Sequence, residues 1–229
     1  MISVPQSLEL IVFDLDGTLI DSIGDIASAV NQFRSSRGRD HHSEEVVRAA
    51  VGHGARYLCK ELLTDLAHTD ESPEALYQEF RKIYIAEASH PDHRISWLPG
   101  AHRALDHLQT LGLTAAILTN KPQKVTAVLQ PQLFNAFPWS HIHCPEDALA
   151  PKPNPSGLKN LIELNRTTPQ KTMLVGDSAV DFSTGKSAQV FTVGLRGGYG
   201  QTTPPEPDHW IDALTDLIPL LNDLSREEK

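Results

Sequence analysis

The 229-residue sequence predicts an α/β fold, a doubly wound parallel sheet core with an inserted helical cap. Three observations predict it. Five short apolar runs rich in β-branched residues, at 8–13, 113–118, 139–143, 172–175 and 190–195, have strand length. From the second run onward they alternate with segments of helical spacing, at 101–111, 125–133 and 155–164. Strands alternating with helices make a parallel sheet covered on both faces. Residues 21–91, by contrast, hold no convincing strand and read as helices throughout.

The first run ends in Asp14-Leu15-Asp16-Gly17-Thr18, which places two acids at one edge of the sheet. Like charges so close are costly to fold unless a cation sits between them. Mg²⁺ suits them, since it takes hard oxygen ligands from one or two carboxylates plus a substrate phosphate. An Asp-Gly hairpin turn would need a second strand directly afterwards. Instead the chain continues through Ile20 to Val30 with helical spacing.

Helices are expected at 24–35, 43–51, 55–66 and 73–88, separated by polar breaks at 38–42 and 69–73. An insertion of this size after the first strand would form a small cap over the carboxyl edge of the sheet. The expected division is therefore a core of residues 1–20 and 92–229, with the cap at 21–91. The second run then ends at Leu118 and leads into Thr119-Asn120-Lys121, and the fourth leads from Val175 into Gly176-Asp177-Ser178. Ligands of such sheets bind outside the carboxyl ends of the strands, so polar groups gathered at three of these ends make a site. Residues 201–208 read as a loop by composition. Residues 209–213 suit a short edge strand, and a final helix should run to about Leu224.

Composition excludes several classes. Hydrophobic residues make up 40% and charged residues 21%, the proportions of an ordinary globular protein. A net charge of −9 argues against non-specific nucleic-acid binding, which needs a basic face. It leaves room for a small anionic substrate held by local cations. Only Cys59 and Cys144 are present, in no metal-type spacing, which suits a reducing compartment. The opening Met-Ile-Ser-Val-Pro-Gln-Ser does not read as a signal peptide, and no apolar run reaches the length of a membrane span. A cytoplasmic monomer or homodimer is expected.

The motifs Asp14-Leu15-Asp16-Gly17-Thr18, Thr119-Asn120 after a strand, Pro151-Lys152-Pro153 and Val175-Gly176-Asp177-Ser178 with Asp181, in that order, resemble the haloacid dehalogenase superfamily of phosphotransferases. The position of the helical insertion is similar to that family's helical cap. Val51-Gly52-His53-Gly54-Ala55-Arg56 looks like the cap stretch of its phosphoglycolate phosphatases, whereas Thr119-Asn120-Lys121-Pro122 and Gly197-Gly198-Tyr199-Gly200 are less diagnostic. Where many members have Ala-Gly, this chain has Ala188-Gln189.

The resemblance implies a Mg²⁺-dependent phosphomonoesterase acting on a small phosphorylated metabolite, with phosphoglycolate the leading candidate. Asp14 would be the nucleophile that forms an aspartyl-phosphate. Asp16 would act as general acid and then general base. Thr119 and the Asn120 backbone would hold the phosphoryl oxygens, with Lys152 neutralising their charge. Asp177 would complete the metal site with the Asp14 carboxylate and the Asp16 backbone carbonyl, and Asp181 would hold Lys152 or metal-bound water. In the cap, Gly52, His53 and Arg56 would receive the substrate carboxylate.

Related activities stay open: a sugar-phosphate phosphatase, a pyrophosphatase or a phosphoglucomutase-like isomerase. A different class, the phospho-acceptor receiver domain, also combines a parallel sheet with acids, a Thr and a Lys. It carries the phosphorylated Asp on a later strand in a chain about half as long. Two further patterns carry no chemistry. Ser183-Thr184-Gly185-Lys186-Ser187 lacks the glycine that a nucleotide loop needs five residues before Gly185, since position 180 is Val. His141, His143 and Cys144 have no second ligand pair at a zinc-type spacing.

Overall fold

A computed structural model describes residues 5, 7–67, 71–135, 137–146, 150–200 and 204–226. β1 (Leu10–Phe13) leads through a tight loop to the two-residue β2 (Ile20–Asp21). Four helices follow: α1 (Ile23–Ser36), α2 (Glu44–Arg48), α3 (Ala55–Leu63) and α4 (Pro73–Ala88). The chain then runs through β3 (Ser96–Trp97), α5 (Ala101–Thr110), β4 (Thr114–Leu118), α6 (Gln123–Leu129) and β5 (Ile142–His143). It continues with α7 (Ser156–Leu164), β6 (Thr172–Gly176), α8 (Ala179–Ala188), β7 (Phe191–Leu195), β8 (His209–Ile211) and α9 (Leu217–Arg226).

Six strands form one sheet in the order β5-β4-β1-β6-β7-β8, every pair parallel. Numbered among themselves along the chain, these strands read 3-2-1-4-5-6, the doubly wound order. β1 lies between β4 and β6, so the chain leaves it toward one side and later returns on the other. The crevice of such a sheet opens where that reversal occurs, at the carboxyl end of β1. Both faces are covered. Leu10 and Val12 pack with Leu118, Leu158 and Leu174 on one side, while Ile11 and Phe13 join Met173 and Val175 on the other. With no face left to water, the strands read as continuous apolar runs rather than alternating ones.

The second of these clusters runs on into the helical insertion, where Phe33 of α1 meets Phe80 of α4 edge to face at 6.2 Å. Local signals set the helix starts. The Ser43 hydroxyl accepts from the Val46 N–H at the head of α2, and Ser72 accepts from Ala75 with Pro73 at the first helical position of α4. Arg34 of α1 ties down the loop before α2 and the end of α3 by donating to the carbonyls of Asp40 (2.6 Å) and Leu62 (2.9 Å).

Three differences from the sequence expectations have physical causes. Asp21 lies in a strand after all: β2 pairs antiparallel with β3 where the chain leaves and re-enters the core. Two residues are too few to show a period in sequence. The expected strand at 139–143 is only Ile142–His143. The helix expected at 125–133 gives way at Pro131 to a wider turn, Gln130–Phe134, because proline lacks the N–H that the ladder needs. Part of the 69–73 break, residues 201–203 of the loop, and residues 1–4 and 6 lie outside the described residues. No described helix is long and apolar enough to cross a membrane.

The departure at Ala188-Gln189 has a backbone consequence. Gln189 closes α8 in the left-handed region, with φ 59°, a conformation that glycine adopts without steric cost. Gln189→Gly is expected to stabilise the protein by about 0.5–1 kcal/mol, the left-handed penalty less the extra chain entropy of glycine. Denaturant unfolding would check it. A loss of stability would mean that side-chain contacts of Gln189 outweigh its strain.

Candidate active site

The ends of β1, β4 and β6 converge as the doubly wound order requires. Asp14 follows β1 directly, and its N–H continues the ladder to the Val175 carbonyl at 2.9 Å. Asp177 follows β6, Asp181 sits in the first turn of α8, and Lys152 lies on the loop after β5. The Lys152 Nζ is 2.6 Å from Asp14 Oδ1 and 2.7 Å from Asp181 Oδ1. Asp14, Asp177 and Asp181 each present a carboxylate oxygen, all within 4.8 Å of one another, and all three residues are buried.

The electrostatics of this cluster favours a bound cation. Burial pushes the Asp14 carboxyl well above the usual carboxylate range, and Asp181 and Asp177 add to the shift against the opposing pull of Lys152. Burial, then Asp181, push Asp177 up to about 6, although the Gly200 and Tyr199 amides oppose this. Burial alone would lower Lys152, but Asp14 and Asp181 outweigh it and hold the ammonium charged above the ordinary lysine range. One ammonium among three carboxylates leaves an excess of two negative charges when all are ionised. An all-oxygen donor set with that excess fits a hard divalent cation.

Asp177 is gripped from the loop after β7. Its Oδ2 accepts from the N–H groups of Tyr199 (2.6 Å) and Gly200 (2.9 Å), and its Oδ1 accepts from the Thr18 hydroxyl (3.2 Å). The loop approaches so closely that a Cβ at Gly198 would lie 2.3 Å from that of Asp177. The Tyr199 hydroxyl in turn donates to Asp21 (2.6 Å) and accepts from the Ser22 and Ile23 amides (2.6 and 2.9 Å). Gly197-Gly198-Tyr199-Gly200 stood out in sequence only as a less diagnostic match to the family. Its grip on Asp177 depends on a strand pairing that no local pattern encodes.

At the end of β4, the Thr119 N–H donates to the His143 carbonyl, and its hydroxyl accepts from the Lys121 N–H, both at 3.0 Å. The Thr119 hydroxyl proton is thereby left to donate elsewhere. The Asn120 side chain brackets Lys152, donating to its carbonyl and accepting from its N–H at 2.9 Å each. It also donates to the Gly52 carbonyl at 2.9 Å, which stitches the core to the helical insertion. Gly54 lies against the same residue with φ 91°, and a Cβ there would come within 3.1 Å of the Asn120 carbonyl oxygen.

Asp16 stands apart from the triad. Its Oδ1 accepts from the Ser22 hydroxyl (2.6 Å) and from Lys121 Nζ (2.8 Å). Lys121 also donates to the Tyr84 hydroxyl of α4 at 2.7 Å. Burial would lower the Lys121 ammonium, yet Asp16 and Tyr84 hold it above the ordinary lysine range. Sequence reasoning placed Lys121 at a strand end without a role and missed Tyr84, which reaches it from a helix 37 positions away.

Two expected residues fall elsewhere. The Arg56 guanidinium forks onto Glu74, lies 4.1 Å over the Tyr77 ring and is more than half exposed, so it does not line the narrow cleft beside Asp14. The first turn of α3 presents it to the acidic start of α4 instead. His53 packs against Tyr57 at 4.6 Å and likewise stays outside that cleft. Of the three residues expected to receive a substrate carboxylate, Gly52 lines the cleft, together with Gly54.

Known proteins share this architecture. The model of the haloacid dehalogenase-like hydrolase family matches residues 11–195. The chain is 34% identical to a phosphoglycolate phosphatase of Pseudomonas putida over 216 residues, 92% of this chain and 78% of the relative. A phosphoglycolate phosphatase of Vibrio parahaemolyticus is 33% identical over 218 residues, covering 93% and 96% of the two chains. A crystal structure described as a predicted phosphoglycolate phosphatase from Haemophilus somnus 129pt superposes with a TM-score of 0.80 at 26% identity, covering 96% of this chain and all of that one. Fold, site and relatives together define a phosphoric monoester hydrolase. The chain belongs to the haloacid dehalogenase-like hydrolase family.

Proposed function

We propose that the protein hydrolyses 2-phosphoglycolate with Mg²⁺ through an aspartyl-phosphate intermediate. The observation that carries the chemistry is Asp14 at the end of the central strand, 2.6 Å from a buried lysine and inside a cluster with two excess negative charges when its acids are ionised. The names of the relatives support the choice of substrate. Asp14 Oδ attacks phosphorus as the bond to the glycolate oxygen breaks, and Asp16 gives that oxygen its proton. Water then attacks the aspartyl-phosphate, Asp16 takes a proton from it, and inorganic phosphate leaves as the Asp14 carboxylate is restored.

Lys152, the Thr119 hydroxyl and the Asn120 N–H face the transferring oxygens, whose charge they balance. Asp14 and Asp177, with the Asp16 carbonyl, would hold the Mg²⁺, and Asp181 keeps Lys152 in place. Bound there, the cation offsets charge on the phosphoryl group. Residues 21–91 act as a cap that closes over the cleft and keeps bulk water out.

An assay of several dozen phosphorylated metabolites with Mg²⁺ tests this reading. The highest kcat/KM is expected for phosphoglycolate. A sugar phosphate or pyrophosphate turned over faster would reassign the substrate, and a single phosphorylation without turnover would indicate a receiver-like role.

A further inference from the structure

The proposed substrate ends in a carboxylate, and the arginine expected to receive it is engaged elsewhere. Among the described residues that line the cleft beside Asp14, Lys121 alone is a cation. Its side chain is wholly buried (0% exposed), and burying an ammonium costs several kcal/mol unless its partners compensate. Asp16 and the Tyr84 hydroxyl use two of its three donors, at 2.8 and 2.7 Å. Ile26, Val51 and Leu58 make the neighbouring wall apolar, so a charge placed there interacts strongly.

Covalent geometry locates the missing anion. Asp16 is the group that protonates the leaving oxygen. In a phosphorylated 2-hydroxy acid, that oxygen is separated from the carboxylate carbon by a single carbon atom. The carboxylate must therefore fall beside whatever adjoins Asp16, and the ammonium within hydrogen-bond distance of Asp16 belongs to Lys121.

We propose that Lys121, held between Asp16 and Tyr84, receives the substrate carboxylate and sets the preference for a phosphorylated hydroxy acid over a neutral phosphate ester. The inference rests on the phosphoglycolate reading above. Lys121 sits on the core after β4, but Tyr84 of α4 aims it. Selectivity is thus shared between the core and the helical insertion, through a contact that neither makes alone.

The test compares kcat/KM for phosphoglycolate and ethyl phosphate, with Mg²⁺, in wild type and Lys121→Met. Both substrates expel an alkoxide, so any damage transmitted through Asp16 weakens both alike and cancels in their ratio. The wild-type ratio should strongly favour phosphoglycolate, and Lys121→Met should lower it by about 10- to 100-fold, the range for a lost charge-assisted hydrogen bond. Tyr84→Phe keeps the ammonium and loses only its hydroxyl anchor. It should lower the ratio by a smaller factor, and it serves as the probe if Lys121→Met does not fold. Equal losses on both substrates would overturn the assignment and reduce Lys121 to a support for Asp16. A wild-type enzyme indifferent to the carboxylate would instead overturn the phosphoglycolate reading itself, before any variant is compared.

Discussion

Asp14→Asn is expected to lower turnover by about 10⁴-fold or more, the scale seen when a covalent nucleophile is removed. The substitution nearly preserves shape, so the fold should survive. Stability should in fact rise in the absence of metal. Burial and the neighbouring acids push the Asp14 carboxyl upward, which means that its ionised form opposes folding at neutral pH. A neutral amide removes that opposition, while Asp181 still pairs with Lys152 at 2.7 Å. Thermal unfolding of the metal-free variant should therefore show a Tm a few degrees above wild type. Activity within tenfold of wild type would refute the assignment of Asp14 as nucleophile. A large fall in metal-free Tm would refute the electrostatic account.

Removing the divalent cation should abolish activity as completely, and the accompanying stability change should depend on pH in a definite direction. Asp177 has an ordinary value of 3.8 when unfolded and about 6 in the folded protein. Between those values the folded state holds more protons than the unfolded state, so metal-free stability falls as pH rises through this window. Above about pH 6 the penalty is fully present. Mg²⁺ competes with the retained proton and binds only the folded form, so its effect on Tm should be small at pH 5 and larger at pH 7.5. At a concentration a hundred times its Kd the gain corresponds to about 2.7 kcal/mol. Ca²⁺ should also stabilise, yet support little turnover, because its looser coordination shell misplaces the nucleophile. Thermal scans with and without chelator at the two pH values decide the matter. Full activity in excess chelator, or a Mg²⁺ gain that does not vary with pH, would exclude this site as the metal centre.

Much of the architecture is legible in the sequence. Each central strand is an apolar run because both faces of the sheet are covered, and Ser43 and Ser72 mark helix starts through hydrogen bonds that span only three residues, with Pro73 preset for the first helical position. The gathering of Asp14, Asp177, Asp181 and Lys152 was legible for a related reason. In a doubly wound sheet, residues just beyond the strands that flank the crossover meet, whatever lies between them in sequence. Short elements were not legible. The two-residue β2 and β3 have no period, and their pairing joins positions separated by the whole helical insertion.

What the sequence determined by itself is the fold class and the set of acids at the carboxyl edge, because both follow from local spacing, while the order of its motifs carries the resemblance to the family. The tertiary structure alone decided where the cations of the helical insertion and the core point. The sequence pointed to Arg56 as the cation for the substrate and gave Lys121 no such role. Packing separates them: the acidic start of α4 draws Arg56 toward solvent, whereas Asp16 and Tyr84 hold Lys121 inside the cleft. A side chain's direction depends on partners tens of residues away, and no local pattern carries that information.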